Sequence, residues 1–250
     1  MKNKKILIPI IDLLIVAIFL IIWEVLSQAK IINTFIFSSP IRIYKTLIDL
    51  LLNGNLLMHI FVTLKEVIIS FALGTFLAFI ISILLYSNKL LAKIIDPFLT
   101  MLNSLPKVAL GPIIIIWAGA NTNSIILMAI LTNVIISIIT IYHGFINTDK
   151  LKIKLFKVFK ASKSQILYKL VIPSNISTIV NSLKINISLT LIGVIMGELL
   201  VSKKGIGYLI LYGSQVFNLD IVMAGLFVLI IISFILYKLV LLLNKKIVSN

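Results

Sequence analysis

The chain alternates long apolar runs with short polar gaps. The runs fall at about residues 6–27, 59–86, 96–118, 124–145, 174–200 and 221–243, each near or above the roughly 20 residues a helix needs to cross the hydrocarbon layer of a bilayer. Lipid offers no water to backbone groups, so isolated spans of this kind must be helices. The pattern predicts an all-α membrane protein of about six transmembrane helices, forming one domain over residues 1–250. The first run follows Lys2, Lys4 and Lys5 and carries no small-x-small cleavage site, so it reads as a retained helix and not as a signal peptide.

Two of the polar gaps have patterns of their own. Between the first two runs, Ser39 and Pro40 precede apolar residues at Ile43, Leu47, Leu50 and Leu51, and Asn53-Gly54 closes the segment. That is the signature of a capped amphipathic helix lying on the membrane surface, read here as a packing element. The longest gap lies within residues 146–173. Phe156, Phe159, Ile166, Leu167 and Leu170 are spaced among seven lysines there. The spacing predicts a short helix, a turn near Ala161-Ser162 and a second short helix ending before Pro173, because proline suits the start of a helix and not its continuation. A loop that is apolar on one side and cationic on the other suits either a docked protein or anionic lipid headgroups.

Composition and charge sharpen the picture. The chain is 60% hydrophobic and 12% charged, against about 25% charged in a soluble domain. A net charge of +15 would suggest nucleic acid in a soluble protein, but here the lysines occupy the gaps between apolar runs, where they set topology. With the N-terminus inside, the inner segments hold fourteen Lys and the outer ones five Lys or Arg. This asymmetry puts both termini and the loop 146–173 in the cytoplasm of a multi-pass protein of the cell membrane. The absence of cysteine excludes disulfides and thiol chemistry.

Candidate chemistry is sparse. Pro106, Gly111 and Pro112 fall inside the third run and would break it near mid-membrane, freeing carbonyls that are tolerated only against protein or a water-filled cavity. Lys107 lies within that break. A cation at this depth either pairs with Glu66 or Glu198 or faces a hydrated solute path. Asp12 and Glu24 lie near the ends of the first run and read as structural. His59 and His143 fall near opposite membrane faces and cannot share a metal. No nucleophile–base set and no phosphate-cradling glycine loop occurs, so neither catalysis nor a bound cofactor is expected in this chain.

Three stretches resemble one family. LFKVFKASKSQILYKLVIPS is similar to the cytoplasmic coupling loop of binding-protein-dependent ABC-importer permeases, a Glu-Ala-Ala run, then a Gly, then two aliphatic residues leading to a Pro. Setting that Pro on Pro173 puts the aliphatic positions on Leu170 and Ile172, the Gly on Lys160 and the Glu-Ala-Ala run on Lys154, Leu155 and Phe156. Ala161-Ser162 match the Ala-Ser that often follows the Gly. DPFLTMLNSLPKVALGPIIIIWAGAN, from Asp96 to Asn121, and IGVIMGELLVSKKGIGYLI, from Ile192 to Ile210, resemble the nitrate/sulfonate/taurine-type permeases, the latter around Glu198, Gly205, Gly207 and Tyr208.

The resemblance implies a permease with a second copy of itself, cytoplasmic ABC ATPase subunits that bind the ATP, and an external solute-binding protein. It implies ATPase contact at Phe156, Phe159, Lys160, Ala161, Ser162 and Pro173. The solute path is expected at Pro106, Lys107, Gly111, Pro112 and Glu198. The rival expectation is an ion-coupled secondary transporter or channel, for which Glu66 and Glu198 are the available membrane carboxylates.

Overall fold

The computed structural model describes the backbone of residues 2–248 and the side chains of residues 11–242 apart from Leu13. In chain order the helices are α1 (Lys2–Gln28), α2 (Thr34–Phe37), α3 (Pro40–Leu52), α4 (Leu56–Ser87) and α5 (Lys89–Ser104). A 3-10 turn (Lys107–Leu110) leads to α6 (Gly111–Ala118), α7 (Thr122–Ile146), α8 (Lys150–Val158) and α9 (Lys163–Ile166). A π turn (Leu167–Val171) then leads to α10 (Ile172–Ser174), α11 (Ile176–Val201), α12 (Ile206–Gln215) and α13 (Leu219–Val248). The described residues contain no strand. By length and composition α4, α7, α11 and α13 can each cross a membrane; α5 and the segment Lys107–Ala118 pass the same test together but are bent by 94°, as a broken span or a re-entrant loop is. Of α1, the stretch Leu14–Gln28 counts as a shorter apolar helix.

Helices that are apolar on every side gain nothing from turning one greasy face to another in lipid, so small and polar residues decide which faces meet. On α4 the buried stripe is Thr63, Glu66, Ser70, Gly74, Ala78 and Ser82, at the three- and four-residue spacing of one helix face. On α11, Gly193 and Gly197 bring the helix against α7 so closely that a Cβ on either would lie 2.6 Å from Ala129 Cα or 2.9 Å from Ile125 Cα. Asn133 Nδ2 donates to Thr190 Oγ1 at 2.6 Å and Ser137 Oγ donates to Asn186 Oδ1 at 2.5 Å, fixing the register of α7 on α11. These three helices form the centre of the subunit, and an apolar cluster from Ile43 through Val67, Val194 and Ile206 to Val240 packs α3, α12 and α13 around it.

The surface helix forms as its sequence dictates. Ser39 Oγ accepts from Arg42 N–H, Pro40 occupies the first turn and Asn53 ends α3. Ile43 and Leu50 are buried, whereas Leu51 is exposed. Glu24 accepts from Ile41 N–H at 3.0 Å, a carboxylate from α1 placed at the positive end of α3. Arg42 and Ser38 both reach Asp220, at 2.7 and 2.6 Å, which ties α3 to the start of α13.

Candidate functional site

The break in the third span is built from its own sequence. Pro106 has no N–H to offer the carbonyl of Leu102, one turn back, so α5 stops at Ser104, and the carbonyl of Asn103 is one of the last four of the helix, which have no amide one turn on. Lys107 Nζ donates to that carbonyl at 2.6 Å and lies 3.4 Å from Asn103 Oδ1. This corrects one of the two roles open to Lys107 in the sequence: its partner is the end of α5, and it forms no ion pair with Glu66 or Glu198. Pro106, Val108 and Ala109 are exposed around it. Gly111 is buried against Leu200 and Met128, where a Cβ would lie 2.6 and 2.9 Å from their side chains. Pro112 opens the next helix with its side chain exposed. The bend therefore presents a cation and polar Asn103 on one open surface of the subunit, while Gly111 seats the following helix on the core.

Glu198 does not share that open surface. It is fully buried and serves the N-terminus of α12, whose first amide groups have no carbonyl behind them. Gly205 N–H donates to His59 Nδ1 at 2.9 Å, Ile206 N–H donates to Thr63 Oγ1 at 2.9 Å, and Gly207 N–H donates to Glu198 Oε2 at 2.5 Å. Thr63 Oγ1 in turn donates to Glu198 Oε1 at 2.6 Å. Three consecutive amides are thus capped by side chains from α4 and α11. A Cβ at Gly205 would lie 2.3 Å from the Glu198 carboxylate, and the φ of +108° there is one that side chains rarely adopt. Glu66 is also buried and lies against Glu198 and Thr122, with Oε2 unpaired. The roles of His59 and Thr63 had no signal in the sequence, because their partners lie 146 and 143 residues away.

The loop 146–173 folds back on the helix ends. Asp149 caps α8, and Ser162 and Gln165 form a reciprocal capping box at α9, so the turn falls at Phe159–Ala161. Asn175 Nδ2 donates to Thr148 Oγ1 at 2.8 Å and closes the loop at its base. The second helix does not end before Pro173. It runs on through the π turn, in which Ile172 N–H donates to Leu167 O. That wider turn relieves the clash a proline ring makes with the carbonyl one turn back. Pro173 is exposed in α10.

The loop residues divide between two faces. Phe156 and Ala161 pack with Ile153 against Phe145, Ile166 and Leu167 at the base of the bundle. Phe159 is 77% exposed on the other side, as are Leu151 at 73% and Val158 at 77%. Ser162 and Lys160 are exposed, and Lys160 has φ +54°. This left-handed residue stands where the resembling coupling loops have glycine, the residue for which that conformation is unstrained.

No group of three or more His, Cys, Asp or Glu that could hold a metal occurs among the described residues. The subunit thus has a bent helix pair, a capped internal helix and a loop with exposed apolar and cationic side chains. Comparison with known proteins gives the chain its relatives. The chain is 26% identical over 237 residues to the putative aliphatic sulfonates transport permease protein SsuC of Bacillus subtilis, covering 95% of this chain and 86% of that one. It is 30% identical over 189 residues to the formylaminopyrimidine transport permease protein ThiX of Halalkalibacterium halodurans, covering 76% and 75% of the two chains. A solved inward-facing structure of the MetNI methionine ABC transporter superposes with a TM-score of 0.66 at 19% identity, over 78% of this chain and 94% of that chain, and shows the same fold. The family model for the binding-protein-dependent transport system inner membrane component matches residues 70–249, and the chain belongs to that family.

Proposed function

We propose that this chain, a permease component of an ATP-driven ABC importer, builds with a second copy of itself a path for a small anionic solute, and that Lys107 contributes to it. The observation that carries the reading is the bend at Pro106, where a half-buried cation is held on a helix end beside the exposed Pro106 and Val108. An oriented ammonium group in a partly dehydrated conduit favours a sulfonate-like anion over an uncharged solute. A sulfonate named for the Bacillus relative fits that chemistry. Cytoplasmic ATPase subunits would seat on the loop 146–173, an external solute-binding protein would deliver the solute, and both termini would face the cytoplasm, in accord with the lysine asymmetry. The described residues favour this over an ion-coupled carrier, because Glu66 and Glu198 are sealed within the subunit, at 2% and 0% exposure, and Glu198 is engaged in capping α12.

The test is uptake of an aliphatic sulfonate by cells expressing Lys107→Met or Lys107→Arg. Met should leave the complex assembled and slow uptake at least about tenfold, the effect of losing roughly 1.4 kcal/mol of favourable interaction, while Arg retains most of the rate. Full uptake by Lys107→Met rejects the path role.

A further inference from the structure

The loop that would meet the ATPase has an unusual surface, and it constrains what the partner must look like. In α8, Ile153 and Phe156 face the bundle. At 3.6 residues per turn Leu151, Leu155 and Val158 fall on the opposite side of the helix, and Lys154 lies beside them. Leu151, Leu155, Val158 and the adjoining Phe159 are 73%, 54%, 77% and 77% exposed. Lys150, Lys152, Lys154 and Lys157 lie on the same helix as this ridge, Lys160 follows it, and Lys163 and Lys169 lie further along the loop; all seven are exposed. The sole acidic side chain within residues 147–172 is Asp149, and it is occupied by the N–H of Leu151 at 2.8 Å. Among the described residues the one ion pair is Arg42–Asp220, far from the loop in sequence.

From this geometry we infer that the ATPase surface receiving α8 is a groove with an apolar floor for Leu151, Leu155, Val158 and Phe159 and a rim of carboxylates for the lysines, the reverse of what a loop beginning Glu-Ala-Ala would need. The inference rests on the proposed role of the loop as the ATPase seat. The apolar ridge selects a protein groove over lipid headgroups, since headgroups would satisfy the lysines and leave four large apolar side chains in water, on the side of α8 turned away from the bundle. The lysines select acidic partners over neutral ones, because like charges crowded at a dry rim are tolerated only beside opposite charge. Lys154 is the sharpest discriminator, since it shares the ridge itself.

The experiment uses the full chain and the ATPase subunit that co-purifies with it, both reconstituted in phosphatidylcholine nanodiscs free of anionic lipid. ATPase retention is measured while salt is raised from about 0.05 M to about 0.5 M, a range that shortens charge–charge reach severalfold. Retention by the wild type should weaken about tenfold across that range. Lys154→Glu should weaken it at least about tenfold at low salt and Lys154→Gln by less, while Lys45→Glu on α3 leaves it unchanged. Val158→Ser should weaken retention without altering the salt dependence. Salt-blind retention, or equal retention by Lys154→Glu, overturns the acidic groove while leaving the importer reading intact. Loop binding to phosphatidylglycerol vesicles that depends on Lys154, with ATPase retention unaffected, overturns it in favour of lipid. Failure of the wild type to retain any ATPase overturns both.

Discussion

Replacing Thr63 by Val retains the branched shape of the side chain and removes one hydroxyl that serves two partners. That hydroxyl donates to Glu198 at 2.6 Å and accepts from Ile206 N–H at 2.9 Å, with no exposed surface on Thr63. Hydrogen bonds between helices in a bilayer average only about 0.6 kcal/mol, because separated helices find other partners. Glu198 can do so, since Gly207 N–H remains. The Ile206 N–H cannot, because it lies in the first turn of α12 with no carbonyl behind it, and orphaning a buried donor costs about 1–3 kcal/mol. The sum is a loss of about 1.5–3.5 kcal/mol. Thr63→Ser retains the hydroxyl and drops a methyl, at about 1 kcal/mol. Reversible unfolding in mixed micelles measures both variants, and hydrogen exchange at the amides of Gly205, Ile206 and Gly207 locates the change. If Thr63→Val lies within about 0.5 kcal/mol of the wild type, a gap too small for an orphaned donor, or if those three amides exchange no faster, the capping account of α12 is wrong.

Two further outcomes follow from the loop and the charge pattern. Lys160→Gly should stabilise the subunit by about 1 kcal/mol, since Lys160 holds φ +54° and a side chain there carries a strain that glycine lacks; unchanged or lowered thermal stability would contradict this. Ser164, exposed in α9, should as Ser164→Cys react with a membrane-impermeant thiol reagent only after cells are broken, and labelling of intact cells would overturn the cytoplasmic assignment of the loop.

Much of the helix order was legible because α4, α7, α11 and α13 are continuous apolar runs, and because Pro106, Gly111 and Pro112 announce a break that the structure turns into a 94° bend. The coupling loop was legible through its lysines and its capping residues. Its facing was not. Phe156 and Phe159 look alike in sequence, yet one packs on the bundle and the other is exposed, since a helix apolar on both sides gives no direction. Helix α12 passed unseen because ten residues, Ile206–Gln215, are too few to mark a span and its start is capped by distant residues. Glu198 was singled out as a path residue, whereas in the structure it is buried and accepts from Gly207 N–H and Thr63 Oγ1 at the start of α12. Gly193 and Gly197 did carry a readable signal in their four-residue spacing, the small-residue pattern by which membrane helices approach closely.

Transport through this chain should be driven by an ATPase seated on α8. The direct measurement reconstitutes the chain in liposomes with and without its co-purifying ATPase and solute-binding protein, and follows radiolabelled sulfonate with ATP on the ATPase side. Accumulation should require both ATP and the ATPase, and Phe159→Asp, on a side chain 77% exposed and apart from the bundle core, should abolish it while the subunit remains inserted. Accumulation by the chain alone under a proton or sodium gradient would contradict the account.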